Sequence, residues 1–375
     1  MKQDLGIIAG LLASCVLLLF IPGPKTLPRV QLDKVRVQVV SVDNSDLNLH
    51  GLVVYGSQTV EGKVLDSGKH HGKTVRLGND LRGQLELDKK FQPGDVITAA
   101  IPADAENGTA LEYDRSFWTW FLFAAFCILI CVFGSWTGAK ALFSFFFSCL
   151  VVWKAVIPLI LHGWPASTVI FLSVALLTAA IIFLVAGFTR KGVTAFLGAM
   201  SGVLLGLLLA HLFSVLMKIN GAVLPYSQAL LYSGFETLNL QDLFSGAMIL
   251  ASSGAVMDLA MDIAAGAEEI VYHHPGLGRK ELIKSCLRIG RSVVGTMTTT
   301  LLLAYSGGYI TLLMMFSVQG NGLEEILNNP LVAAEVAKTL IGSFSLVLVA
   351  PLTALFAGVF YGKKAVSGEN VETAD

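Results

Sequence analysis

Residues 166–187 read ASTVIFLSVALLTAAIIFLVAG, with no Asp, Glu, Lys or Arg. A helix rises about 1.5 Å per residue and the bilayer hydrocarbon is about 30 Å thick, so roughly 20 apolar residues make one crossing. Outward from this stretch the same criterion finds segments at 5–22, 117–136, 141–161, 193–217, 243–270, 293–317 and 334–361. The expectation is therefore a mainly α-helical integral membrane protein with about eight transmembrane helices. Gly134, Gly138 and Lys140 mark a turn between the second and third. Composition agrees: of 375 residues 54% are hydrophobic and only 14% charged, against roughly a quarter charged in soluble proteins. A net charge of -1 gives no basic field for a nucleic-acid partner.

The charges are unevenly placed. Residues 23–116 hold 12 Lys/Arg and 13 Asp/Glu, an ordinary soluble density, so one hydrophilic module is set into a membrane protein. The expected organisation is an N-terminal anchor at 1–22, this module at 23–116, a seven-helix membrane domain at 117–365 and a tail at 366–375. Short alternating runs at 34–39, 51–55, 59–65, 73–77, 83–87 and 95–99 read as half-buried strands. Turn residues at 66–68, 78–80 and 93–95 separate them, which predicts a small β-barrel or β-sandwich. His70 and His71 read as an exposed polar loop tip. The module shows no catalytic set, and a binding or assembly role is the default.

Lys and Arg in short loops set orientation. With the C-terminus inside, eleven of them (Lys2, Lys140, Arg190, Lys191, Arg279, Lys280, Lys284, Arg288, Arg291, Lys363 and Lys364) fall on the cytoplasmic side, against only Lys218 in the short outer loops. Parity then places the N-terminus inside and residues 23–116 outside. Leu12-Ala13-Ser14-Cys15 resembles a lipoprotein processing box, but the apolar run continues through Val16 to Ile21, favouring an uncleaved anchor. The five cysteines all lie outside the module, so no disulfide or zinc framework is available to it.

A charged group at bilayer depth costs on the order of 2.5 to 3.5 kcal/mol even on lenient insertion scales. Asp258, Asp262 and Glu269 fall at helical spacing on one face of the sixth segment. Paired carboxylates suit a bound cation or a shared proton; the structural alternative is a buried pair with Lys154 that locks the bundle. The seventh segment offers Thr296, Thr299 and Thr300 as neutral oxygens, although such hydroxyls also bond to their own backbone. Before it, residues 279–289 read as an interfacial helix under the inner leaflet. Gly198, Gly202 and Gly206 repeat every fourth residue, the pattern of close helix packing. His211 on the same segment reads as a hydrogen-bonded core histidine.

An intramembrane serine protease using Ser253 and His211 is a remote reading, because Ala251 stands where a glycine belongs. Asp258 and Asp262 share one helix, which argues against an aspartyl protease. No nucleotide loop, haem box or zinc pattern appears. No enzyme activity and no cofactor are expected.

Residues 254–258, Glu269-Ile270, residues 279–282, Ile289-Gly290-Arg291, residues 295–298 and residues 302–308 together resemble, in order and spacing, the YibE/F family of bacterial multi-spanning proteins. The outer module resembles the YibE-like half of that family. Where the family pattern carries an acid after Gly-Arg and Asn in the threonine run, this chain has Ser292 and Thr299; where it carries Ser, this chain has Asp262. The exchange suggests that the sixth and seventh helices face each other. The resemblance implies a permease-like protein of the bacterial cell membrane, with a YibF-like membrane protein or further copies of itself as partners besides the lipid bilayer. The residues sharpen this to a transporter coupled to a cation or proton through Asp258 and Asp262, with Glu269, Thr296 and Thr299 nearby. A non-transporting envelope assembly or signalling component, whose outer domain binds a partner, stays open.

Overall fold

The computed structural model describes residues 2–21, 23, 32–67, 70–102 and 107–362. It divides into two compact units, residues 25–133 and residues 134–375 with 1–24. The expected tail at 366–375 lies outside the described residues, as do Lys363 and Lys364.

The smaller unit is built on β1 (Leu32–Asp43), β2 (Leu47–His50), β3 (Val53–Val64), β4 (Thr74–Arg82), β5 (Val96–Pro102) and β6 (Asn107–Tyr113). β1 pairs with both β3 and β5, and the ring closes through β4 and β6, which pair in parallel. β2 is an extra strand on β3. Five strands therefore close a barrel, with every neighbour antiparallel except β4 and β6, which is the order of the OB-fold. Alternation drives it: on β4 every second residue is buried, and Val75 and Leu77 meet Val37, Val60, Ile97 and Ile101 inside. Two polar side chains are also enclosed. Gln58 donates to Asn44 Oδ1 (2.7 Å) and the Phe91 carbonyl (2.9 Å), and its Oε1 accepts from Asn79 Nδ2 (3.0 Å) and the Phe91 amide (3.1 Å). A buried amide satisfied at both ends carries little desolvation penalty.

The expected strand at 83–87 is a turn. Gly83 has φ +82°, and Asp88 accepts from the Gln84 amide at 2.7 Å, so its alternating leucines face solvent. β2 and β6 were not anticipated, and the runs at 51–55 and 59–65 form a single strand. His70 is buried rather than exposed, with neither ring nitrogen hydrogen-bonded.

The helices are α1 (Lys2–Leu19), α2 (Ser116–Val151), a π-helical turn (Val152–Val156), α3 (Ile157–Leu161), α4 (Ala166–Ala186), α5 (Arg190–Leu216), α6 (Ser227–Tyr232), α7 (Leu240–His273), α8 (Arg279–Gln319), α9 (Leu323–Asn328) and α10 (Pro330–Tyr361). Among the described residues six stretches are long and apolar enough to cross a membrane: Ser116–Leu161, α4, α5, α7, α8 and α10. That is fewer than the eight expected. The second and third segments fall in one helical stretch, interrupted where Ser135 leaves helical geometry (φ 47°, ψ -127°). α1, several of whose side chains lie outside the described residues, is not among the six. The expected interfacial helix is likewise not separate: residues 279–289 are the first turns of α8, with Leu282 and Cys286 buried.

Small residues set the bundle. Gly198, Gly202 and Gly206 of α5 lie against Thr353, Val349 and Ser345 of α10, and Gly202 and Gly206 also meet Val256 and Ile249 of α7. The order of these contacts makes α5 antiparallel to α7 and α10. Gly246 packs on Ile170 of α4, Gly266 on Ile289 of α8, and Gly290 on Ala350 and Ile263, so α8 also runs antiparallel to α7 and α10. Asn239, Thr189 and Asn329 cap α7, α5 and α10 through their side-chain oxygens.

A Cβ at Gly206 would lie 2.0 Å from Ser345 Oγ and 3.0 Å from its Cβ. Gly206→Val is expected to destabilise the bundle by roughly 1–3 kcal/mol, the usual range for overpacking. Gly295→Val, where nothing lies within 4 Å, should have no comparable effect; thermal melts of the two full-length variants in lipid nanodiscs check the difference. In the barrel, the backbone amide and Nε of Arg36 both donate to Asp66 at 2.7 Å, which holds that carboxyl below its ordinary value. A depressed folded-state pKa stabilises above the unfolded value near 3.9 and is lost as pH falls through the folded value. Protection factors at β1 in the intact chain, which divide out the intrinsic pH dependence of amide exchange, should thus be steady from pH 7 to about 5 and fall below about 4, with a flatter acid dependence in Asp66→Asn.

Candidate functional site on the outer face of α7

Three faces of α7 are occupied, by α5 and α10, by α4 and by α8. Apart from His273 at its last residue, the exposed remainder is Ala251, Gly254, Asp258, Asp262, Ala265, Glu269 and Tyr272, spaced by three or four residues and so forming one stripe along the helix. The three predicted carboxylates all lie in it. Among the described residues Asp258 and Asp262 make no hydrogen bond or ion pair, while Glu269 meets His273 at 3.0 Å. The neighbouring Glu268 bonds Lys191 of α5 at 2.8 Å.

Lys154 sits half-buried in the π-helical turn and pairs with neither aspartate. Thr296 and Thr299 are exposed on α8 with their hydroxyls donating to the carbonyls of Val293 (2.9 Å) and Gly295 (3.1 Å); Ser292 donates to Ile289. Thr298, between them, is the one threonine of the run whose hydroxyl is buried without a partner. The packing of Gly266 on Ile289 places Asp262 level with residue 293, so Asp262 and Ser292 stand within about one helical rise of each other, about 1.5 Å along the axis. Among the described residues no three His, Cys, Asp or Glu side chains are grouped to hold a metal ion.

A cavity of about 570 Å³ lies beside this face, lined by residues that include Cys149, Trp153, Leu177, Ser253, Gly254 and Met257. It reaches Gly254, one turn before Asp258. Ser253 donates to the Leu250 carbonyl at 2.8 Å. His211 is exposed on α5 rather than in the core, and the pairing of Gly206 with Ile249 puts it about 13 Å from the height of Ser253 along the antiparallel helices. The structure does not bring those two residues together.

One polar pair was missed. Glu335 and Lys338, at i,i+3 in the first turns of α10, form an ion pair of 2.5 Å, with the ammonium 6.0 Å from the Phe244 ring centroid. Opposite charges at that spacing inside an apolar segment were the available signal. Farther along α8 the Tyr305 hydroxyl is buried without a partner, beside Gly342.

These features define a mostly helical chain with six candidate membrane-spanning helices and an N-terminal five-stranded barrel. The YibE/F-like protein family matches over residues 122–363, and the chain belongs to that family. The linked motifs from Gly254 to Gly308 all lie inside the matched region. No curated protein and no solved structure matches the chain.

Exposed, unpaired carboxylates in an apolar helix should be open to a membrane-permeant carbodiimide. Mass spectrometry of treated membranes is expected to find the adduct on the α7 peptide at Asp258 or Asp262 and to lose it in the double Asn variant. A wild-type α7 that stays unlabelled when the chain is held as a single copy per nanodisc would contradict the exposure described.

Proposed function

We propose that the chain is a permease-like membrane transporter coupled to a proton or cation through Asp258 and Asp262. The observation that carries this reading is that both carboxylates lie unpaired in the middle of a candidate membrane span, where charge is costly and no structural ion pair accounts for them. Glu269 extends the same stripe toward the helix end, and Thr296 and Thr299 stand on the adjacent helix. The partnerless Thr298 and Tyr305 hydroxyls add polar groups within the α7, α8 and α10 layer.

We further propose that the protein resides in a bacterial cytoplasmic membrane with both termini cytoplasmic and residues 23–116 outside. The basic ends support this orientation. Lys191 pairs with Glu268, Arg190 donates to the Phe360 carbonyl (3.4 Å) and Arg279 to the Gly358 carbonyl (3.0 Å), so the positive ends of α5 and α8 gather with the last turn of α10 at one end of the bundle, as the positive-inside rule requires of a cytoplasmic side.

One observation favours a second reading, a non-transporting envelope assembly or signalling component with the barrel as its partner-binding part. The lining of the 570 Å³ cavity is mainly apolar and stops a turn short of Asp258, so this cavity offers the carboxylates no polar route. Under either reading the bilayer is the solvent for the helices, and a YibF-like protein or another copy is the expected protein partner.

Proteoliposomes carrying the full chain, given an imposed proton or sodium gradient, separate the two. Asp258→Asn and Asp262→Asn are each expected to lower gradient-driven flux at least tenfold. Flux that is unchanged in both variants, or absent in the wild type, removes the transport reading.

A further inference from the structure

α8 carries a second stripe, opposite in sign to that of α7. Lys280, Lys284, Arg288 and Arg291 are exposed, and none of the four makes an ion pair among the described residues. Only 11% of the most apolar stretch of α8 is buried, against 50% for α7 and for α10. α8 is thus far less enclosed than α4, α5, α7 and α10, and its free surface flanks the acidic face.

The heights of the two stripes correspond. With Gly266 level with Ile289, Asp262 and Arg291 stand two residues apart along the axis, as do Glu269 and Arg288, or about 3 Å in each case. Within one chain these groups do not meet, because the basic side chains leave α8 away from α7. A two-fold rotation about an axis parallel to the bundle keeps every height and sets α7 of one copy against α8 of the other. It would place acid opposite base twice in one interface.

Sterics allow the approach. On the acidic face of α7, Ala251 and Gly254 precede Asp258 and Ala265 lies between Asp262 and Glu269, and Gly295 and Thr296 lie on the free surface of α8. A Cβ added at Gly254 or Gly295 would meet nothing within 4 Å, although close packing inside the chain accounts for Gly198, Gly202 and Gly206. Small residues at a helix surface permit the backbone contact on which association in lipid depends.

From these observations we propose that the acidic face of α7 and the basic face of α8 form one self-complementary surface on which a second copy of this chain docks. Other occupants match only half of it. Anionic lipid suits the four basic residues and leaves the acidic stripe uncompensated; a small cation suits the aspartates and leaves the basic stripe bare. A second copy answers both, and the inference does not rest on transport.

The test uses the full chain with its five cysteines replaced by alanine. Two differently tagged copies are co-expressed, one carrying Asp262→Cys and the other Arg291→Cys, and native membranes are oxidised. A disulfide-linked species of twice the chain mass containing both tags is expected, at least tenfold above that for Asp262→Cys with Val347→Cys, an exposed α10 position at similar height. In nanodiscs, photobleaching should count two copies per wild-type particle. Asp262→Arg or Arg291→Asp alone should reduce that population at least tenfold, and the two reversals in one chain should restore it. A single wild-type copy per particle, equal cross-linking at Val347, a different protein occupying the face, or a folded double reversal that stays monomeric would each overturn the proposal.

Discussion

The close approach of α5 to α7 and α10 at Gly198, Gly202 and Gly206 governs the arrangement of the membrane-spanning region. Lipid tails are as apolar as leucine, so helices in a bilayer gain little by hiding apolar surface from each other and associate through fit. Each of these glycines receives a partner side chain in the space a Cβ would fill. That fit fixes the rotation of α7 as well as its distance, because Val256 and Ile249 must face α5. Gly246 toward α4 and Gly266 toward α8 then claim two further sides. The stripe with Asp258, Asp262 and Glu269 is what remains.

Charged and hydroxyl groups respond differently to being left outward. Ser292, Thr296, Thr299, Thr300 and Ser306 donate to carbonyls three or four residues back on α8, so their donors are satisfied at no expense to any partner and they can face lipid or another helix. A carboxylate has no such recourse within its own helix, since the backbone donors there are already used. Glu268 is compensated by Lys191 and Glu335 by Lys338. Asp258 and Asp262 are the carboxylates in α7 that the fold leaves without compensation, and this sets them apart from the threonines.

The sequence carried this distinction only in part. The apolar length of 166–187 and the four-residue glycine spacing on α5 fixed helix and packing face directly, because both are local properties. The stripe on α7 was equally readable from a 3.6-residue period. Lys154 was a poorer inference: a lone cation in an apolar segment can be assigned a partner only when the rotation of the π-helical turn is known. His211 erred for the same reason, since it falls on the side of α5 away from Gly206. In the barrel, alternation located β1 and β4, whereas Leu85 and Leu87 copied the pattern without a sheet to join. Asp88 closing on the Gln84 amide, a side-chain interaction, decided that segment as a turn. The expected break between the second and third segments falls at Ser135, as one residue with positive φ rather than a loop.

Continuity of α8 alters the meaning of its charges. An interfacial helix joined by a loop would leave Lys280, Lys284, Arg288 and Arg291 free to follow the lipid surface, independent of the threonine run. Instead one helix runs unbroken from Arg279 up to Tyr309, 30 residues and about 45 Å at 1.5 Å per residue. That is about one and a half times the hydrocarbon thickness. Its basic turns are anchored by Leu282 and Cys286 in the core and by Ile283 against Gly358, so their azimuth is set by the same packing that orients Thr296 and Tyr305. A rotation of the basic end is transmitted along the helix until Tyr309, where the backbone departs from helical geometry (φ -124°, ψ 16°). Charge at one end of α8 and polarity along its middle are mechanically one element.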